Sequence, residues 1–379
     1  MPRFSFVIFC LMFFAVSFGV AAMAALIPSI AFYFGVSKEA VMPLTWLYML
    51  PYGAFALIWA PLTRVVKIKN IFLFTTFGFF LASLAFSFSV NLGQAFMFRF
   101  FMGCMGCSFV PLVLITIGKS VSAKQKAKYI GTFFALSYVS TFISVLLSGF
   151  LHWRVIYIIP AILSLVVFFL VLKHLDDFDF RKTSFKISYL ETLKNKQALS
   201  FFIVIMLGSL IYHSLQQRLG LYLSHTYSLK QVVISSIFTV STLCAIVFEF
   251  SGGILCSRIG NIKVSRLGFI LMSIFALFLI FIKDYQKIFF LIIFWGSGWA
   301  LTHVGLSSHL AHFPDKILRD SSSLNSSLRF AFGGLGAFLG GVMVSYLGFK
   351  VFFIIIALSI FLLGFYLNKI ITEKKECYG

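Results

Sequence analysis

"GILCSRIGNIK", residues Gly253 to Lys263, is the stretch from which the rest of the chain can be read. It closes one long apolar run (231–256) and opens another (264–282), and the join carries small residues, then Arg258 and Lys263. A short basic turn between two apolar segments of about 20 residues each reads as two membrane spans joined on one side of a bilayer. An equivalent stretch, "APLTRVVKIKN" (Ala60 to Asn70), joins runs near 43–66 and 70–90 in the first half of the chain. A second pair matches too. "SGFLHWRVIYII" (Ser148 to Ile159) and "VSYLGFKVFFII" (Val344 to Ile355) are each a very short turn, an aromatic, a base and a new apolar run. Four matched places in the same order indicate an internally duplicated membrane protein.

Working outward, helices are predicted near 5–34, 43–66, 70–90, 94–118, 129–151, 155–173, 198–222, 231–256, 264–282, 288–311, 322–346 and 349–370. Of 379 residues, 60% are hydrophobic, 11% are charged and 51 are Phe, against about 25% charged in a soluble domain. Twelve spans use roughly 240 residues, which leaves short connections and no room for a soluble catalytic domain. The runs are too long, and alternate too little, for a β-barrel. The expected fold is all-α and polytopic: twelve transmembrane helices in two pseudo-symmetric six-helix bundles, 1–174 and 198–379, joined by a polar cytoplasmic linker at 175–197. Within the linker, Ile187–Leu193 can form a short amphipathic helix along the membrane surface. The first apolar run is too long for a signal peptide and is read as a retained span.

The net charge of +20 is mostly a topology device. With the N-terminus cytoplasmic, the cytoplasmic segments hold 22 of the 31 Lys and Arg. The outer loops hold Lys38, Arg154, Lys230, Lys283, Lys287 and Lys350, and Arg99, Arg218 and Arg329 fall inside helices. This bias places both termini in the cytoplasm. No nucleic-acid partner is needed to explain the charge. Cys104 and Cys107, one turn apart with no nearby ligand, read as small packing residues rather than a metal site, and no cofactor is expected.

These motifs resemble the major facilitator superfamily, over nearly the whole chain. Gly253, Leu255, Arg258 and Gly260 match its Gly–x–Leu–x–Asp–Arg–x–Gly loop, with Ser257 where the acid would stand. In the first half Pro61, Leu62, Arg64, Lys67 and Lys69 fit, while the acid and the second Gly are missing. Arg99, Phe100 and Gly103 follow the Arg–Phe–x–x–Gly pattern of the family's drug:proton antiporters, the nearest type in pattern, and His152–Arg154 resembles its Gly-Trp-Arg turn. The resemblance implies the two-bundle fold, a conformational role for the loop residues Arg64, Gly253, Ser257, Arg258 and Gly260, and efflux driven by protons. The antiporters' Gly-Pro in the fifth helix is absent here: Ser140, Ser144, Val145, Ser148 and Gly149 keep only the small size, so direction stays open. Gly253 is expected where helices approach closely, and Gly260 in a tight turn with positive φ.

Ionisable groups at bilayer depth are costly and mark candidate sites. Arg99 either holds an anionic group or bonds to the carbonyls of a bent neighbouring helix. Glu249 is the only acid in any predicted span. Low dielectric disfavours its charged form, so it can carry a proton; the alternative is a structural ion pair with Arg258 or Arg329. Ser322, Asn325 and Arg329 share one face of the eleventh helix, continued by Gly333, Gly336 or Ala337, and Gly340. His213, Gln217 and Gly220 form a stripe on the seventh helix, and Trp299, His303 and Ser307 one on the tenth. Ser137, Thr141, Ser144 and Ser148 form a hydroxyl stripe on the fifth. Arg218 is expected to snorkel to the outer surface, and His309 and His312 to lie at the interface.

The expected function is secondary transport of a small solute by rocking two halves about a central site, without ATP since no Walker motif is present. A cavity lined by Arg99 and Arg329 against Glu249 favours an anionic or polar solute. A monomer in a plasma membrane, of the bacterial inner-membrane kind, is expected. The alternatives are a transporter-like membrane sensor and a polytopic membrane enzyme. The enzyme reading lacks a catalytic set, since no His lies within two turns of Glu249 along its helix.

Overall fold

The computed structural model describes residues 3–179, 189–310, 313 and 315–371, and among these there is no strand. The first span is two consecutive helices, α1 (Arg3–Ala21) and α2 (Met23–Phe34), followed by a single turn, α3 (Lys38–Val41). Spans two and three are α4 (Pro43–Leu62) and α5 (Ile68–Ser87). The fourth is again double, α6 (Leu92–Gly106) and α7 (Phe109–Ser120), and α8 (Ala123–Leu147) and α9 (Trp153–His174) complete the first half. A six-residue helix, α10 (Tyr189–Lys194), leads into α11 (Lys196–Thr226), α12 (Gln231–Ile259), α13 (Asn261–Phe278), α14 (Gln286–Leu310) and α15 (Asp315–Ile370). Among the described residues, eleven helical stretches are long and apolar enough to cross a membrane. The last of them is two spans, because Gly348, at φ 71° and ψ 167°, breaks α15 in the very short turn expected there.

The proline positions explain where helices bend and who fills the gaps. A helical proline has no N–H for the carbonyl four residues earlier. Pro61 so releases the Leu57 carbonyl, and Tyr189 of α10 donates its hydroxyl to it at 3.1 Å. Pro28 releases the Ala24 carbonyl, and Gly220 of α11 packs so closely there that a Cβ would collide with that oxygen. The fourth span breaks around Cys107 and Ser108, where Pro111 follows. There the Cys104 carbonyl accepts from Trp59 Nε1 at 3.0 Å and from Cys107 Sγ at 3.2 Å. The two cysteines therefore serve packing.

Among the described residues two large apolar cores form, one within residues 8–175 and one mainly within 198–371, to which Ala24, Ala25 and Val145 also contribute, with a small third cluster of Cys256, Val264 and Leu301. Large apolar side chains such as Phe74, Phe250 and Phe290 stay exposed on the outside, as a lipid-facing surface requires. The halves meet along α4 and α15, where Tyr52 stacks on Phe330 with ring centroids 3.9 Å apart. They meet again between α8 and α12 and between α2 and α11. At the Lys38 end, Lys38 Nζ donates to Ser224 Oγ at 2.6 Å, Gln231 Nε2 to the Ala25 carbonyl at 2.8 Å, and the Ser148 and Ser235 hydroxyls lie 2.9 Å apart. That end of the molecule is closed.

Several expectations change. Gly253 is exposed with nothing near its Cα; the close-packed residue is its neighbour Gly252, against Leu301 and Val304. A one-residue shift turns the helix by about 100°, enough to exchange a packed face for an open one. Gly260 does adopt a positive φ of 93°, ending α12 and starting α13. Arg218 does not snorkel. It is 6% exposed and donates Nη2 to the Ala337 carbonyl of α15 at 2.9 Å, in space left by Gly341. The amphipathic segment packs on protein: Tyr189 and Leu193 join the second core while Leu190 is exposed. Ile187 and the rest of 180–188 lie outside the described residues, as does His312, and so does the side chain of Ser322.

Candidate substrate and coupling site

Arg99 is nearly fully buried, at 1% exposed. Its Nε donates to the Leu44 carbonyl at 3.1 Å and its Nη1 to the Gly19 carbonyl at 3.0 Å, just before the break between α1 and α2. The guanidinium also lies 4.5 Å from the ring centre of Tyr48 and 5.3 Å from that of Tyr157. It is thus held by the backbone of a bent helix and by aromatic faces, which stabilise a cation with no carboxylate beside it. With Gln217, Thr45 and Met49 it lines a cavity of about 10 Å³, room for a single water.

Arg329 differs. Its Nε and Nη2 are buried and bond to nothing in the structure. These two nitrogens form one edge of the guanidinium, the edge that takes a carboxylate or phosphate in two parallel hydrogen bonds. The group stands 5.7 Å from the ring centre of Trp299, which stacks on Tyr212 at 3.7 Å and meets His213 edge-on at 5.8 Å. Among the other buried polar atoms without partners are Asn325 Oδ1, one turn before Arg329 on the same helix face, His213 Nδ1, and Gln217 Oε1. Such atoms are few in native proteins, because each left unpaired costs about 1–3 kcal/mol. Gly336 lets α15 press against α11, where a Cβ would strike the Leu210 carbonyl. Gly333 makes room for the His213 ring in the same way. The glycine stripe below Arg329 therefore fixes the spacing of the polar face.

Glu249 sits deeper on α12 and has found partners. Its Oε1 lies 2.8 Å from His303 Nδ1, and Tyr138 of α8 donates its hydroxyl to Oε2 at 3.0 Å. Both carboxylate and imidazole are about one-fifth exposed. Arg329 is an electrostatic neighbour of Glu249 and Tyr138 but is not within ion-pair distance of the acid. The expected pairing with Arg258 does not occur, as Arg258 is exposed in the last turn of α12. The missing histidine near Glu249 is supplied across space by α14, which the spacing along α12 could not show. Tyr138 was not anticipated. The available signal was a phenol deep in an apolar span, which must bond to something there.

The sequence candidates therefore divide. Arg329, Asn325, His213 and Trp299 gather in one place, Glu249 and His303 pair beside them, and Gln217 sits with Arg99 in the small cavity. The serine stripe of α8 is partly structural: Ser144 donates to the Phe18 carbonyl at 2.6 Å, and Ser137 to Phe134 of its own helix. In the loops, Lys67 pairs with Asp177 at 2.5 Å and Lys69 donates to the Leu175 carbonyl at 3.0 Å. The acid missing from the first loop is thus met by Asp177, after α9. Arg64 is half-buried in that turn. Ser257 is exposed and bonds only to the Ile254 carbonyl of its own helix. Among the described residues no group of His, Cys, Asp and Glu could hold a metal.

The family model of the Major Facilitator Superfamily matches residues 9–321. The chain belongs to that superfamily. It is a multi-pass membrane transporter by family. The crystal structure of a bacterial homologue of the human lysosomal transporter Spinster, inward-facing and unoccupied, superposes with a TM-score of 0.75 at 12% identity, over 98% of this chain and 99% of that one. The human organic anion transporter MFSD10 (TETRAN) does so with a TM-score of 0.71 at 12% identity, over 97% and 100%. An uncharacterized protein of Aquifex aeolicus (strain VF5) is 26% identical over 182 residues, 47% of this chain and 47% of that protein, so the match spans about half the relative's length.

Proposed function

We propose that this superfamily member is a secondary transporter of a small organic anion, working as a monomer by alternating access and coupled to protons. The observation that carries the reading is the unpartnered Nε and Nη2 edge of Arg329, buried beside Trp299. A buried cation with a free edge gains most from an oxyanion that fits both donors. Asn325 Oδ1 nearby is an acceptor without a donor, so the cargo that fits best carries a hydroxyl or amino group near its carboxylate or phosphate. The fold accommodates such cargo, since its human neighbour is an organic anion transporter. Glu249 is the membrane-embedded acid available to carry a proton. Export is the direction favoured by the antiporter-like motifs, and a bacterial inner membrane the expected setting.

Ligand-dependent stabilisation of the purified protein in detergent tests the substrate class. Short hydroxy- or amino-carboxylates and phosphate esters are expected to raise the unfolding midpoint in a concentration-dependent way, while neutral and cationic analogues of equal size leave it unchanged. Equal stabilisation by the cationic analogues would overturn the anion reading.

A further inference from the structure

We propose that Tyr138 is the residue through which the proton state of the Glu249–His303 pair sets the relative position of the two halves. The inference rests on the proton-coupled reading above and adds the mechanical link that reading lacks. Glu249 and His303 stand on α12 and α14 of the second half, whereas Tyr138 stands on α8 of the first. Its hydroxyl donates to Glu249 Oε2 at 3.0 Å and lies 3.4 Å from His303 Nδ1. A proton on the pair is therefore felt directly by a group of the opposite half.

The helices around this bond make it a lever. Near the Lys38 end, α8 and α12 are pinned by the Ser148 and Ser235 hydroxyls and by Gly149, whose Cα lies against Ser235. Tyr138 is ten residues from Ser148, about 15 Å along the helix. The pair of helices is thus fastened at one end and tied again part-way down. Separating the halves below the pin requires the Tyr138–Glu249 bond to break. When Glu249 is ionised, that bond is charge-assisted, and His303 Nδ1–H supports the other oxygen. When Glu249 is protonated, the phenol faces a neutral carboxylic acid and the bond weakens to about half its strength. The titratable and charged groups around the pair are Tyr138 from α8, Arg329 from α15, Tyr212 and His213 from α11 and Cys256 on α12 itself. Arg329 is an electrostatic neighbour of both Tyr138 and Glu249, so an anion bound at Arg329 changes the field at this same bond. Substrate and proton then act on one contact between the halves.

The test measures the position of the halves without transport. Spin labels at Val65 and Ile259, exposed positions in opposite halves at the end away from Lys38, where the halves would part, are introduced into a background lacking the native cysteines. Distance distributions are recorded between pH 5 and 9 in lipid nanodiscs. In the parent protein, the population with the halves arranged as here is expected to fall as pH drops, since the bond that favours it is lost on protonation. Tyr138→Phe keeps the ring and removes the hydroxyl. It should flatten this pH dependence, with the high-pH population ratio lowered about tenfold. Glu249→Gln, as second variant, should give the same flat profile and keeps the test decisive if Tyr138→Phe is not recovered folded. A purely structural Tyr138 would lower the melting temperature and leave the pH profile intact. An unchanged profile in Tyr138→Phe overturns the proposal alone. Absence of any pH dependence in the parent protein removes the proton-coupled reading, and the proposal with it.

Discussion

At the scale of single residues, the three intramembrane arginines have three different fates, and their hydrogen bonds separate them. Arg99 is satisfied by the carbonyls of Leu44 and Gly19, Arg218 reaches the carbonyl of Ala337, and Arg329 keeps an open edge. Arg329→Lys retains the charge and loses the two-pronged geometry. It is expected to weaken anion binding by about tenfold or more, the cost of one charge-assisted bond, with folding retained. Undiminished affinity in a titration calorimeter would place the anion elsewhere. Glu249→Gln fixes the neutral state while keeping shape. The variant should still exchange substrate and should lose proton-driven accumulation. Wild-type pH dependence of accumulation in that variant would leave Glu249 only a structural role. Much of this was legible in the sequence, because a charged residue in an apolar run announces itself: Arg99, Glu249, Asn325 and Arg329 stand out on inspection. What spacing could not supply was partners. Tyr138 is 111 residues from Glu249 and His303 is 54 residues from it, so only the folded bundle brings the three together.

At the scale of helices, the breaks are written in proline and glycine, and their consequences are not. Pro61 is plain in the sequence. That its orphaned Leu57 carbonyl would be met by Tyr189 from the linker is a tertiary fact. Tyr189→Phe should loosen the docking of α10 and increase protease cleavage within the linker; an unaltered cleavage rate would show the bond to be incidental. Gly260 was readable as a turn residue, and its φ of 93° agrees. Gly260→Val places a β-branched side chain in a conformation it strongly resists, at a cost of about 1–3 kcal/mol. Lower folding yield with unchanged substrate preference is the expected outcome, measured by size-exclusion recovery and ligand competition. Gly253 illustrates the limit of motif matching. It stands at the family position, yet its face is open, and Gly252 makes the close contact. A pattern fixes residue type to within one position, while packing is decided by a rotation of about 100° per residue.

At the scale of the molecule, duplication and charge bias were enough to expect two six-helix halves with short loops, and the helices described here follow that order. Cysteines placed at Lys38 or Lys287 should react with an impermeant thiol reagent from outside the cell, and one at Lys182 should not; outside labelling of Lys182 would reverse the assignment. At the Lys38 end the halves are joined by Lys38–Ser224, Gln231–Ala25 and Ser148–Ser235. Transport itself is measured most directly by the uptake of radiolabelled organic anions into proteoliposomes with an imposed pH gradient of either sign. Alternating access with proton coupling predicts anion flux above that of protein-free liposomes, accumulation against a gradient for one sign of the pH difference, and its loss on adding a protonophore. No flux above protein-free liposomes for any anion of the panel, under either gradient, would contradict the assignment of this chain as a working anion transporter.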